Sequence, residues 1–262
     1  MLSIIIPTHH RPDLLIRAVS SALSSCAVSD EVLVVADRDP GARAVLARWT
    51  DDLRVKVLDN TGQGGASDTR NFGVVAATGD TVLFLDDDDA LVPGYADRVR
   101  AITTATWGFG SQIIRHDGDE NTALTLQSDL KGGVAGAWVP FRRKIAALGA
   151  GLWVRRSLFN AVGGLSCDQR VDEDTDLCCR LLAAGHQPWI DPPSSHDHRP
   201  ACGNTKADKL DRCGNARDLL SADLSAQYCI PETRAGGGCI SCLSRATHDP
   251  AQRKARSAGA PL

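Results

Sequence analysis

Four consecutive aspartates, Asp86, Asp87, Asp88 and Asp89, are the residues of this sequence best suited to chemistry. Neighbouring carboxylates repel by about 4 kcal/mol at roughly 4 Å if the effective dielectric is near ~20. A fold keeps several of them together when they stay hydrated or share a cation. Hard oxygen ligands suit Mg2+ or Mn2+, which bind through one or two carboxylates plus substrate phosphates. A second acidic group, Asp172, Glu173 and Asp174, stands at the head of a helical stretch. Acids there complement the helix dipole, a structural role that competes with any chemical one.

These groups need elements to position them. Residues 2–6 are a short apolar run suited to a buried parallel strand. Pro12 stands where a first helical residue often stands, and Leu14, Leu15, Ala18, Val19, Ala22 and Leu23 give a helical apolar face. Residues 31–36 read as a second strand, 42–49 as a helix and 53–58 as a third strand. A glycine-rich loop (Gly62, Gly64, Gly65) leads into a helix over 66–77, which Gly79 closes. Residues 81–85 form a fourth strand, with the four acids directly at its C-terminal end. This alternation predicts an α/β fold: a mostly parallel sheet with flanking helices and right-handed crossovers. Ligands of such sheets bind outside the carboxyl ends of the strands, where the acids lie. The competing reading is an Asp-rich turn capping a helix that starts near Pro93. Placement at the ligand edge favours the cation.

Beyond residue 101 the alternation is less clean. Residues 107–115 and 122–126 read as strands, 132–136 as a glycine-broken loop, 156–184 as helical and 187–190 as a last strand. Within the helical region, 171–184 reads as one helix ended by Gly185, with Leu177, Leu181 and Leu182 on its buried face and Asp172, Glu173 and Asp174 in its first turn. Arg70 follows the glycine-rich loop, a setting that suits an anion contact better than a plain surface arginine. The glycines are not a dinucleotide fingerprint, which belongs after the first strand, where this chain has Pro7-Thr8-His9-His10.

A chain of 262 residues can bury one good core with a small appendage. Its net charge of −3 supplies no overall basic field to draw it to nucleic acid or an anionic membrane. No apolar stretch is long enough to span a bilayer. The N-terminus reads as a strand and not as a signal peptide, so the cytoplasm is the expected location.

The ordered set of segments resembles glycosyltransferase family 2, with its Rossmann-like GT-A fold. The matching segments are Ser3-Ile-Ile-Ile-Pro-Thr8, Glu31-Val-Leu-Val-Val35, Thr69-Arg-Asn-Phe-Gly73, Ala77-Thr-Gly-Asp80 and Phe84-Leu-Asp-Asp-Asp-Asp89, followed by Val162-Gly-Gly-Leu165 and Glu173-Asp-Thr-Asp-Leu177. The resemblance covers roughly residues 1–195 and implies a soluble, inverting, metal-dependent transfer of a sugar from a nucleotide-diphosphate donor. It implies that Pro7, Thr8 and Arg11 cradle the nucleotide and that Arg70 meets base or phosphate. Asp86 and Asp87 fall on the nucleotide side, Asp88 is the expected ligand of Mn2+ or Mg2+, and Asp174 is the expected catalytic base. Of the histidines after the last strand, His196 and His198, the second better matches a residue that completes the metal shell. One acidic site then neutralises the departing diphosphate, and the other removes a proton from the acceptor.

The chain also departs from the family. Where members commonly end the second strand with two adjacent aspartates, Ala36 takes the first place and Asp37 follows. Asp37 therefore joins the nucleotide-binding candidates, but the base stays open among UDP, GDP and dTDP. The Gln-x-x-Arg-Trp segment of processive synthases is missing, which favours a single transfer. The acceptor is equally open among glycan, lipid, peptide, small molecule and modified nucleic acid. Two alternatives stand beside this reading: a non-catalytic sugar-nucleotide or glycan-binding module, and a nucleotidylyltransferase. The latter would carry a glycine-rich basic loop after the first strand, which is absent.

The residues divide into an expected GT-A domain over 1–195, a Cys/His-rich extension over 196–242 and a disordered tail over 243–262. Nine cysteines in a reducing compartment argue for metal or free thiols before disulfides. Cys239 and Cys242 have the two-residue gap of zinc ligands, and Cys229, Cys213, Cys202 and His248 are candidates to join them around a structural Zn2+, Cys229 first among them. Without a second such pair, free thiols remain the competing reading.

Overall fold

The computed structural model describes residues 1–116, 119–125, 133–136, 139, 144, 151–168 and 172–198, with the backbone alone at 111–116, 119–125 and 192–198. The strands β1 (Leu2–Thr8), β2 (Glu31–Ala36), β3 (Val55–Asp59) and β4 (Thr81–Phe84) form the parallel block of a ten-stranded sheet, in the order β3-β2-β1-β4. The sheet continues through β9 (Trp153–Arg155), β6 (Trp107–His116), β10 (Trp189–His198) and β5 (Asp89–Leu91), with mixed directions. Two further strands pair off this path: β7 (Asp119–Thr125) with β6, and β8 (Gly133–Val134) with β10.

Both faces of the parallel block are covered, which explains its unbroken apolar runs. Side chains alternate along a strand, so Ile4, Ile6, Val32 and Val34 join the core beneath α1 (Pro12–Ser25) and α4 (Tyr95–Ala101). Ile5, Leu33, Val35 and Phe84 join the opposite core, with α3 (Ala66–Ala76), α5 (Arg156–Ala161) and α6 (Glu173–Ala183). Helix α1 starts at Pro12 as expected and buries Leu15, Ala18, Val19 and Ala22. The short helix α2 (Ala42–Val45) runs into a 3-10 turn over Leu46–Trp49. Helix α3 lies very close to the sheet, because a Cβ on Gly73 would come within 2.6 Å of the Ile5 side chain. Among the described residues no helix is long and apolar enough to cross a membrane.

The structure adjusts several boundaries. A turn joining Asp52 and Val55 delays β3 and leaves Leu53 93% exposed, outside the strand it was expected to begin. Gly163 and Gly164, with φ of 89° and 68°, break the long helical region into α5 and α6. Asp172 is the N-cap of α6 in a left-handed conformation, so the first turn holds Glu173, Asp174 and Asp176 instead. Part of the expected glycine loop pairs as β8. Strand β10 runs on to His198, past the expected strand end at residue 190, because its register shifts between Asp191, Ser194 and His196 let Pro192 and Pro193 sit where the ladder is irregular. Cys202, Cys213, Cys229, Cys239, Cys242 and the expected tail lie outside the described residues.

Candidate functional site

The strand order reverses between β1 and β4, since β2 lies on one side of β1 and β4 on the other. At such a point the connections leave in opposite directions and open a crevice at the carboxyl ends. A cavity of about 460 Å3 lies there. It is lined at and beyond the end of β1 by Thr8, His9 and Arg11, after β2 by Asp37, by Gly65, Thr69 and Arg70 at the head of α3, and after β4 by Asp86, Asp87 and Asp88.

The four aspartates do not cap α4, whose N-cap is Gly94. They form a tight turn closed by the Asp89 N–H on the Asp86 carbonyl, and Asp89 begins β5. Oxygens of Asp86, Asp88 and Asp89 lie within 4.8 Å of one another, close enough to share one cation. Asp87 points elsewhere. It accepts from the Thr8 hydroxyl at 2.9 Å and from Arg11 Nη1 at 3.1 Å, and the same nitrogen reaches Asp88 Oδ2 at 3.2 Å. Burial pushes the Asp87 carboxyl above its ordinary range, and the charges of Asp88 and Asp86 push it further, against the Thr8 and Arg11 contacts. Arg17, on α1, donates to the Asp88 carbonyl at 2.5 Å. Nothing in the sequence singled Arg17 out, because only the packing of α1 under β5 brings it there.

Arg70 is almost wholly buried, and two carboxylates hold it. It donates to Asp86 Oδ1 at 2.5 Å and to Glu173 Oε1 at 3.2 Å. Burial works to lower its pKa, but Asp86, Glu173 and Asp174 overcome that and raise it. Arg70 also lines the cavity, where the expected contact with base or phosphate would fall. Glu173, which drew attention only as a neighbour of Asp174, is the residue that joins α6 to the acidic run. Burial raises its pKa, and Asp174 and Asp86 add to the rise while Arg70 opposes it. Asp174 sits beside it, with Oδ1 accepting the Thr175 N–H at 2.7 Å.

The glycines after β3 have the backbone freedom expected of them: Gly64 and Gly65 have φ of 81° and 90°. The Gly65 N–H donates to Asp37 Oδ2 at 2.7 Å. The other oxygen, Asp37 Oδ1, is buried and has no hydrogen-bond partner among the described residues. His9 Nδ1 lies 2.7 Å from the Asp37 carbonyl, and the His10 N–H donates to Asp39. Pro7 also lines the cavity. His198 pairs with Asp89 in the β10–β5 ladder, so its backbone lies beside the acidic turn.

The sequence model of Glycosyl transferase family 2 matches residues 3–127. An uncharacterized glycosyltransferase of Haemophilus influenzae is 26% identical over 187 residues, which cover 70% of this chain and 62% of that protein. S. aureus TarS, solved in complex with UDP-GlcNAc, superposes with a TM-score of 0.63 at 18% identity, covering 78% of this chain and 59% of that one. The mannosyltransferase PcManGT from Pyrobaculum calidifontis, solved with GDP-Man and Mn2+, gives a TM-score of 0.63 at 20% identity, covering 90% and 65%. The chain thus spans less than two thirds of the length of each of these three relatives. The likeness to the solved structures bears out the GT-A fold.

Proposed function

We propose, from the premise that residues 3–127 belong to glycosyltransferase family 2, that this chain transfers a sugar from a nucleotide-diphosphate donor to an acceptor with inversion at the anomeric carbon. The observation that carries this reading is the meeting of two carboxylate groups across Arg70: Asp86, which lines the cavity, and Glu173, which stands next to Asp174 on α6 and lines a second pocket that shares Gly65 and Ala66 with the first.

The donor nucleotide lies over Pro7, Thr8 and Arg11. Asp37 faces the base with Oδ1, a buried acceptor that lacks a hydrogen-bond partner among the described residues. The donor set Asp88, Asp86 and Asp89 is all oxygen and fits Mn2+ or Mg2+, with the His198 position beside it in the sheet. Held by these carboxylates, a divalent ion would supply positive charge to offset that developing on the departing diphosphate. Arg11 already bridges Asp87 and Asp88 and adds positive charge on the same side. Asp174 takes the proton from the attacking acceptor oxygen. Arg70 keeps the two acidic groups in register, so that acceptor and donor meet in line.

The test is turnover of a panel of UDP-, GDP- and dTDP-sugars, with Mn2+ and with EDTA, read together with thermal shifts. Release of the nucleotide diphosphate that stops in EDTA is the expected result. Turnover unchanged by EDTA would overturn the metal assignment, and binding without turnover would make the chain a sugar-nucleotide-binding module.

A further inference from the structure

The proposed reaction leaves two conspicuous segments without a role: Asn71, and the turn Val162-Gly-Gly-Leu165 before α6. The structure joins them. Thr69, Arg70 and Asn71 are consecutive on α3, yet each holds a different part of the molecule. Thr69 Oγ1 accepts from Asn60 Nδ2 at 3.1 Å, and Arg70 spans Asp86 and Glu173. Asn71 takes both backbone groups of one residue: its Nδ2 donates to the Leu165 carbonyl at 2.8 Å, and its Oδ1 accepts the Leu165 N–H at 2.9 Å. A side-chain amide carries the donor and the acceptor that such a pairing needs; a carboxylate or an aliphatic chain does not.

The turn is built around this contact. Gly163 and Gly164 have positive φ, and a Cβ on Gly164 would come 3.0 Å from Asn71 Oδ1. The far side of the turn is fastened to α6, because Arg180 Nη1 donates to the Val162 carbonyl at 2.5 Å while its Nε and Nη2 hold Asp176. The 162–165 turn is therefore bound to α3 at one end and to α6 at the other.

We infer that Asn71 is a positioning residue. It sets α6, with Asp174 in its first turn, at a fixed place relative to α3, whose Arg70 holds the donor-side carboxylate Asp86. This inference rests on the reading of Asp174 as the base. A displacement of about 1 Å between reacting groups can cost on the order of a hundredfold in rate, so a clip remote from the chemistry still governs it. Donor binding needs no contribution from the clip, because the residues lining the cavity come from the sheet ends and the head of α3.

Two variants of the full chain test it: Asn71→Asp, which keeps the acceptor and loses the donor, and Asn71→Leu, which loses both. Hydrogen exchange should quicken at the Leu165 amide and in the first turn of α6, while β1 and β4 keep their protection. Calorimetric affinity for nucleoside diphosphate with Mn2+ should stay within about twofold, and kcat should fall on the order of ten- to a hundredfold with the donor KM unchanged. Unchanged exchange or an unchanged kcat overturns the inference. So does a fall in nucleotide affinity that matches the fall in kcat, which would mean general damage. If the wild-type chain turns over no sugar nucleotide, the reading of Asp174 fails by itself; the exchange data still decide whether Asn71 places α6.

Discussion

The two ends of the parallel block both carry buried carboxylates, and they treat them in opposite ways. At the amino ends, Glu31 accepts from the Ser3 hydroxyl, from both the N–H and the hydroxyl of Thr78, and from Lys56. Burial alone would raise its pKa, but these four donors bring it down to about 2. Next to it, Asp30 accepts from the N–H groups of Leu2 and Ala27 and from Arg100. At the carboxyl ends the acids are crowded together, and burial with neighbouring like charges pushes Asp87 and Glu173 up instead. The same side chains therefore behave in two ways. Where donors surround it, a carboxylate ties loops together; where like charges crowd it, its ionised form is disfavoured, and such perturbed acids gather at functional sites.

The sharpest way to break this contrast is to remove a carboxylate from the carboxyl-end site. Asp88→Ala and Asp174→Asn should each lower the transfer rate by about 10^2-fold or more, with circular dichroism and urea midpoint nearly unchanged. Near-normal turnover in either variant places the metal or the base elsewhere.

At the amino ends the effect should fall on stability. Glu31→Gln should cost about 2 kcal/mol in urea unfolding while turnover stays within about twofold. The pH dependence carries the sign. The folded pKa of Glu31 lies below the unfolded value, so its contribution is complete above about pH 4.5 and disappears as the pH falls toward about 2. Wild type and Glu31→Gln should therefore differ at neutral pH and converge near pH 2; a gap that persists there refutes the charge as its source.

The smallest effect should be the reverse of this. Asp87 is buried among like charges, so Asp87→Asn should raise stability by about 1 kcal/mol, seen as a melting temperature a few degrees higher, while it weakens nucleotide binding. A clear loss of stability would show that the Thr8 and Arg11 contacts outweigh the repulsion.

Much of the fold was legible because local rules decide it. The apolar runs of β1 and β2, Pro12 at the start of α1 and the glycines before α3 all act within a few residues, and each stands where the pattern puts it. The acidic turn was legible for the same reason: it follows an apolar strand in a chain that alternates strand and helix. The end of α5 before Gly163 and Gly164 was missed because periodicity scores side chains, whereas these glycines act through the backbone. The length of β10 was missed because Pro192 and Pro193 argue against a strand unless its pairing is irregular, which depends on β6 and β5.

The sequence by itself determined which carboxylates stand at the ligand edge and the residue types that surround them, since strand ends and helix starts follow from short-range sterics and burial. Only the tertiary structure decided how the charges pair. Arg70 is separated from Glu173 by 103 residues and Arg11 from Asp87 by 76, and Arg17 reaches Asp88 only through helix packing. No spacing rule spans such gaps. Which acids an arginine meets is settled by which segments the two cores press together.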